Sequence, residues 1–349
     1  MRRLAADALS LALIIPFIYE DFMYLGKIFA MKDLTLSFAP MEGVTGHIYR
    51  RLHARMFPGA DRYYAPFIAP DSSGKFKASG LRDILPENNP DIDLVPQVLC
   101  SRPEPFLAVA RELAAMGYRE LNLNAGCPSG TVVPKRKGAG MLADLRALDD
   151  FLAEVFSHCE LKVSVKTRMG LDSTGEFPAI LEVYNKYPLS ALIIHARDRV
   201  GMYKSRPDIP AFAAAFHASR APVCYNGNIF SRAHLEAVRS AVPELEQVMV
   251  GRGVAADPAL FRRLRGGEAL EAEELRAFLA RLLDAFLDAG LSERHALARL
   301  KELWYYTIYM FPGASSKKII KAQTVADYRS AVDALFTSGA FSPAAFFNG

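Results

Sequence analysis

Cysteine is scarce in this 349-residue chain: Cys100, Cys127, Cys159 and Cys224 are the only four, and none belongs to a C-x-x-C pair. That spacing argues against a zinc knuckle, a dithiol redox motif and a secreted disulfide scaffold. No metal site is expected, and a reducing cytoplasm fits best. Charge of one sign is also lacking: 42 Lys and Arg against 38 Asp and Glu give a formal +4, too little to announce a nucleic-acid partner by itself. Internal repeats and low-complexity tracts are absent. So is a run long enough to span a bilayer, because the apolar stretch at residues 9–18, preceded by Arg2 and Arg3, is short and contains Pro16. Residues 1–33 read as an N-terminal extension, with an upstream start, a family-specific addition and a membrane anchor as alternatives. No membrane partner is expected.

What the chain has in quantity is apolar: 51% hydrophobic and 23% charged residues describe a soluble globular protein with a large core. Short apolar runs recur at residues 36–40, 62–66, 93–99, 120–124, 161–167, 191–195, 222–226 and 247–251. Helical patterns lie between them, as at 104–116, 144–156 and 231–240, where Ser231 is the expected N-cap. Strand and helix alternating eight times is the count of an α/β (β/α)8 TIM barrel, placed at residues 34–265. Beyond Gly266-Gly267 the strand signal stops. Helical patterns at 268–289, 293–309 and 317–336, interrupted by Pro312-Gly313, predict a C-terminal all-helical domain over residues 268–349.

In such a barrel the reactive groups lie where the strands end on their C-terminal side. Those ends carry Pro40 and Met41, Gln97, Asn124 through Cys127, Lys166 and Arg168, His195 and Arg197, Asn226-Gly227-Asn228, and Gly251-Arg252-Gly253. Several polar groups aimed at one mouth are costly unless a ligand meets them. The last two loops combine small residues with a following helix start, the usual barrel arrangement for a phosphate. Lys166 adds a positive charge that suits a cofactor becoming anionic on reduction, as a flavin does, the plain alternative being an ion pair with a barrel carboxylate. Cys127 lies just beyond a strand, and a thiol with an ordinary pKa near ~8.5 is able to give a proton as well as attack. The other three cysteines read as small apolar fillers.

The segments APMEGVTG (39–46), PQVL (96–99), LNLNAGCPS (121–129), KGAGMLAD (137–144), VSVKTRMG (163–170), HARDRVGMY (195–203), YNGNIFS (225–231) and VGRG (250–253), in this order, make the chain resemble the tRNA-dihydrouridine synthase family. The resemblance covers residues 36 to 265, and the helical tail is similar to that family's RNA-binding domain. It implies an FMN enzyme that reduces the C5–C6 double bond of a uridine in the tRNA D-loop, with NADPH as reductant and NADH as the alternative. It places Pro40, Met41, Glu42, Gln97, Lys166 and His195 around the flavin, and Asn226, Gly227, Asn228, Gly251 and Arg252 at its phosphate and ribityl chain. Cys127 becomes the proton donor, and Asn124, Arg168 and Arg197 hold the base or the RNA.

Further contact with the tRNA elbow is expected from Lys135 and Arg136, and from the tail residues Lys301, Lys317 and Lys318 beside Trp304. Between residues 290 and 321 the chain carries six basic and two acidic residues. A solvated charged face is the plain reading of that stretch. One departure from the family pattern is Asn228, where Asp is common. Two rival readings are a flavin barrel acting on a free pyrimidine and a non-catalytic tRNA binder. A cytoplasmic monomer is expected.

Overall fold

The protein is represented by a computed structural model that describes residues 34–71, 73–75, 78–202 and 204–343. The extension reading for residues 1–33 lies outside the described residues. Nine parallel strands run in the order β3-β2-β1-β9-β8-β7-β6-β5-β4. They are β1 Thr35–Phe38, β2 Arg62–Tyr64, β3 Leu94–Val95, β4 Gln97–Val98, β5 Glu120–Ala125, β6 Lys162–Arg168, β7 Leu192–His195, β8 Val223–Asn226 and β9 Gln247–Val250. β3 and β4 are two halves of one apolar run, split at Pro96, which has no amide hydrogen to give a ladder. Because these halves are the two ends of the sheet order, the sheet closes on itself as an eight-staved barrel.

The period-2 alternation of a strand sorts the side chains into two cores. Outward residues such as Phe38, Leu123, Val165, Ile194 and Tyr225 join the large core beneath the helices. Each such fully buried side chain contributes about 1.5–3 kcal/mol. Inward residues Ala39, Tyr64, Val95, Ile193, Cys224 and Met249 form a separate small cluster. The remaining inward sector is polar: Gln97, Asn122, Asn124, Ser164 and Lys166 share its parity. The barrel lumen is therefore greasy on one side and hydrogen-bonding on the other.

The helices of the barrel follow the sequence pattern closely. Pro103–Ala115 carries proline in its first turn, where no amide is needed. Leu145–His158 is capped by Asp144, and Arg232–Ala241 by Ser231, whose hydroxyl accepts from the His234 amide at 3.3 Å.

The tail comprises helices Ala272–Asp288, Glu293–Thr307, Lys317–Lys321 and Val325–Ser338. The helix expected over 317–336 is thus two helices. The chain breaks at Ala322, whose carbonyl accepts from Lys301 Nζ, and restarts at Thr324, whose hydroxyl caps the Asp327 amide at 3.1 Å. Tail and barrel share one core. Tyr49 and Phe57, on helix His47–Met56, meet the Phe278 ring edge-on at 5.5 and 5.4 Å. Trp304, expected beside the basic surface, is instead fully buried and donates to the Tyr328 hydroxyl at 2.9 Å. Its large apolar rings fill space between tail helices, which outweighs exposure for RNA.

His53 joins three of these pieces. Its Nδ1 lies 3.0 Å from the Tyr63 hydroxyl and its Nε2 3.0 Å from the Pro258 carbonyl. A carbonyl only accepts, so Nε2 carries the proton and Nδ1 accepts from the tyrosine. Burial pushes the imidazole down to about 4, against the pull of the Pro258 carbonyl. The unfolded chain takes up this proton below ordinary histidine pH while the folded chain refuses it, so stability falls as pH drops through that window. Relative to His53→Gln, the wild type is expected to lose about 3 kcal/mol between pH 7 and pH 4. Urea midpoints of the two proteins across that range measure it, and parallel curves would defeat the assignment.

Candidate active site

The mouth is organised by a chain of amides inside the barrel. Gln97 Nε2 donates to Asn122 Oδ1 at 2.7 Å, Asn122 Nδ2 to Ser164 Oγ at 3.0 Å, and Asn124 Nδ2 to Gln97 Oε1 at 2.8 Å. Asn124 then turns the chain. Its Oδ1 accepts from the amides of Gly126 at 3.1 Å and Cys127 at 2.9 Å, so the Asn-x-Gly-Cys spacing is a side-chain-to-backbone turn. Gly138 backs the same turn in left-handed conformation at φ 57°, where an added Cβ would lie 2.8 Å from the Cys127 carbonyl. The result is a half-exposed thiol on a braced loop. Asn124, expected at the target base, spends its amide on building that loop.

Lys166 stands in register with Asn124 on the neighbouring strand. Its ammonium has no hydrogen-bond or ion-pair partner among the described residues, so the barrel carboxylate of the plain reading is absent there. Desolvation, helped by Arg168, lowers it to about 8, against the opposite influence of Cys224 and Cys127. The Cys127 sulfur is thus close enough to be felt by the ammonium. His195 is held well below the ordinary histidine range by burial and by Arg168, Lys166, Arg197 and Arg252. It is neutral, and because Arg197 Nη1 is a donor 3.0 Å from Nε2, the ring proton sits on Nδ1.

The two buried arginines correct an expectation. Arg168 and Arg197 are each 1% exposed, which removes them from any extended RNA surface. Arg168 donates through Nε to the Gly126 carbonyl at 3.0 Å and through Nη1 to the carbonyls of Asp198 at 2.6 Å and Met202 at 3.0 Å. It ties the cysteine loop to the loop after β7. Arg197 ties that second loop at Ser205, 2.7 Å away. Buried guanidinium groups need several acceptors, and loop carbonyls supply them.

On the opposite wall, Asn226 Nδ2 donates to the Met249 carbonyl at 2.8 Å. Arg252 donates to Asn228 Oδ1 at 2.6 Å and lies over the Phe230 ring at 5.9 Å. Gly251 packs against the loop after β1: a Cβ there would come 3.2 Å from Ala39 and 3.3 Å from the Met41 sulfur. Pro40 and Met41 are accordingly brought to the same floor. Gly227, between the two asparagines, completes the loop after β8. Glu42 is not brought there. It lies exposed on the rim, its carboxyl raised by crowding of the surrounding protein against the pull of Arg299.

The outer basic residues divide. Lys135 and Arg136 are exposed after the cysteine loop, Arg136 in a 3.2 Å pair with Asp144. Lys317 and Lys318 are exposed, whereas Lys301 is turned inward to the Ala322 carbonyl, an acceptor the helix break leaves without an amide. Sequence reasoning missed Thr45 and Arg50. Thr45 Oγ1 accepts from the Met41 amide at 2.8 Å, and fully buried Arg50 grips the Thr45 carbonyl at 2.7 Å and Asp83 at 3.0 Å. The four-residue step from Met41 to Thr45 was the available signal.

A parallel barrel with cations, amides and one thiol at its C-terminal mouth has the architecture of a (β/α)8 enzyme, whose active site lies at that end. Among its described residues, no helix is long and apolar enough to cross a membrane. The family model described as dihydrouridine synthase matches residues 37–303, and the chain belongs to that family. Similar curated proteins include tRNA-dihydrouridine synthase B of Pseudomonas putida, 29% identical over 77% of this chain and 82% of its own length. Another is the tRNA-dihydrouridine(20/20a) synthase of Xanthomonas campestris pv. campestris, 26% identical over 83% of this chain and 87% of its own. Among solved structures, histamine dehydrogenase from Rhizobium sp. 4-9 superposes with a TM-score of 0.53 at 8% identity, covering 74% of this chain and 49% of that one. That similarity concerns the fold alone.

The Asn124 turn carries a direct test. Asn124→Ala leaves two amides and the Gln97 carbonyl oxygen without partners, an expected loss of about 2–3 kcal/mol in urea unfolding. Asn124→Asp keeps the acceptor for both amides and is expected to cost less than half of that. Equal losses would show that the turn is not what the side chain supports.

Proposed function

We propose that this chain is a tRNA-dihydrouridine synthase that carries FMN, takes reducing equivalents from NADPH and reduces the C5–C6 double bond of a D-loop uridine, acting as a cytoplasmic monomer. The observation that carries the reading is the unpaired Lys166 ammonium beside the Cys127 loop, in a mouth whose named charges are all cationic. Those residues fit the cofactor. An ammonium denied a carboxylate suits a ring that gains negative charge on reduction, and the close-packed Gly251 with Arg252 suits a phosphate.

Pro40, Met41, Gln97, Lys166 and His195 would hold the flavin ring, and Asn226, Gly227, Asn228, Gly251 and Arg252 the ribityl phosphate. When bound, FMN supplies hydride. The protein's own part is proton delivery and exclusion of water. Cys127 holds at Sγ the proton that C5 of the uracil receives, and Lys166 lends positive charge beside that sulfur. The neutral His195 donates from Nδ1, its tautomer set by Arg197. A target base of a folded tRNA has to leave its stack to reach Cys127, and Lys135, Arg136, Lys317 and Lys318 offer cations for the backbone around it.

Two experiments decide the reading. Cys127→Ala is expected to retain the flavin absorption spectrum and its reduction by NADPH while dihydrouridine formation on tRNA falls about a hundredfold or more. Full turnover by that variant would remove the thiol from the chemistry. Mapping dihydrouridine in tRNA from a deletion strain identifies the position that vanishes, and unchanged content in a strain without a redundant enzyme would sink the assignment.

Lys166 supplies a pH dependence. Its ammonium deprotonates near 8 in the free protein, so an anion binding beside it draws a proton back above that pH. FMN rebinding to flavin-free protein is expected to weaken by up to about tenfold per pH unit above 8, and Lys166→Met to flatten that slope. A steep slope surviving in the variant would assign the proton to another group.

A further inference from the structure

Two apolar side chains stand out of the loop after β7: Val200 is 58% exposed and Met202 44%. A single exposed aliphatic group needs no explanation, but two on one loop tip tied to the Cys127 loop form a surface. The tip is tied down by hydrogen bonds. Met202 adopts φ 45°, a left-handed conformation that is unfavourable for a methionine and has to be imposed by its surroundings. The surroundings impose it: the Arg199 amide donates to the Gly170 carbonyl at 2.9 Å, the Val200 amide to Leu171 at 3.0 Å, and the Gly201 amide to Asp198 Oδ1 at 2.5 Å. Arg168 holds the Met202 carbonyl with the same guanidinium that holds Gly126, one residue before Cys127. Lys204 and Arg206 are exposed just beyond the tip, so the apolar pair is flanked by cations.

We propose that Val200 and Met202 are a wedge that enters the base stack of the RNA substrate next to the target uridine, while Lys204 and Arg206 grip the neighbouring phosphates. This rests on the reading of the substrate as tRNA. A nucleobase drawn towards Cys127 leaves a gap whose unstacking is unfavourable, and apolar side chains filling that gap offset it. A yielding loop would close the gap again; one bolted to the cysteine loop keeps wedge and acid at a fixed separation. Flanking cations favour RNA over a protein partner.

The test uses full-length, flavin-loaded enzyme and a tRNA with 2-aminopurine beside the uridine mapped by the deletion experiment. Wild type is expected to raise the 2-aminopurine fluorescence on binding. V200S/M202S is expected to bind within about threefold of wild type without that rise, and to lose about tenfold in kcat with the flavin spectrum and NADPH reduction unchanged. V200L/M202L is expected to restore both the rise and kcat. A serine variant that keeps the fluorescence rise, or a leucine variant that fails to restore it, overturns the wedge. Wild type inert on tRNA sinks the proposed function itself, whereas active wild type with an equally active serine variant sinks only the wedge. A wild-type dimer that the serine variant dissolves would give this face to a second copy and overturn the proposal.

Discussion

Positive charge crowded at the strand ends, half of it buried, is the constraint from which the rest of the mouth follows. Moving a cation from water into a protein costs several kcal/mol unless oxygen ligands replace its hydration. Lys166, Arg168, Arg197 and Arg252 nevertheless converge around one imidazole. The named partners of the three arginines include carbonyls, an amide oxygen, an imidazole nitrogen and an aromatic ring. Lys166 has no such partner and gives way by shifting its proton affinity instead. The fold brings the four together because all of them sit on or just after strand ends.

The same charge decides what the neighbouring groups do. Protonating His195 would add a fifth cation, so the ring stays neutral and becomes a directed donor rather than a charge. The amide chain from Gln97 through Asn122 to Ser164 carries no charge, which lets it line the lumen beside Lys166 without pairing with it. A carboxylate at any of those positions would have quenched the ammonium. The greasy half of the lumen, Ile193, Cys224 and Met249 among others, closes the floor beneath the mouth. It keeps the dielectric low where the charges meet.

Much of this was legible in the sequence. Eight apolar runs gave eight staves because buried parallel strands are near-continuous in hydrophobicity, and only Pro96 divided one run in two. Strand ends were readable from where each apolar run stops, which is why Gln97, Lys166, His195 and Asn226 lie on the strands at the expected points. Side-chain destination was not legible. Arg168 and Arg197 look like nucleic-acid contacts in a one-dimensional reading, yet both serve loop carbonyls that come from far along the chain. Trp304 sits among basic residues in sequence but on the inner side of its helix, and the 3.6-residue period separates it from exposed Tyr305. Glu42 fails for a related reason, since the turn after Met41 points it over the rim.

The attachment of the tail has a consequence for substrate choice. Arg299 donates to the Gly43 carbonyl at 2.9 Å, and Thr307 Oγ1 reaches the Ala255 carbonyl at 3.4 Å. These contacts fall on the loop after β1 and on the short helix Arg252–Ala256 after β9, so the tail grips two adjacent sides of the mouth. Phe278 meanwhile belongs to the core that also contains Phe38 and Phe57. A hinge between the two parts would have to expose those rings, at about 1.5–3 kcal/mol for each. The span from tail surface to Cys127 is therefore set when the chain folds, and under the proposed function an RNA touching both would meet a fixed frame.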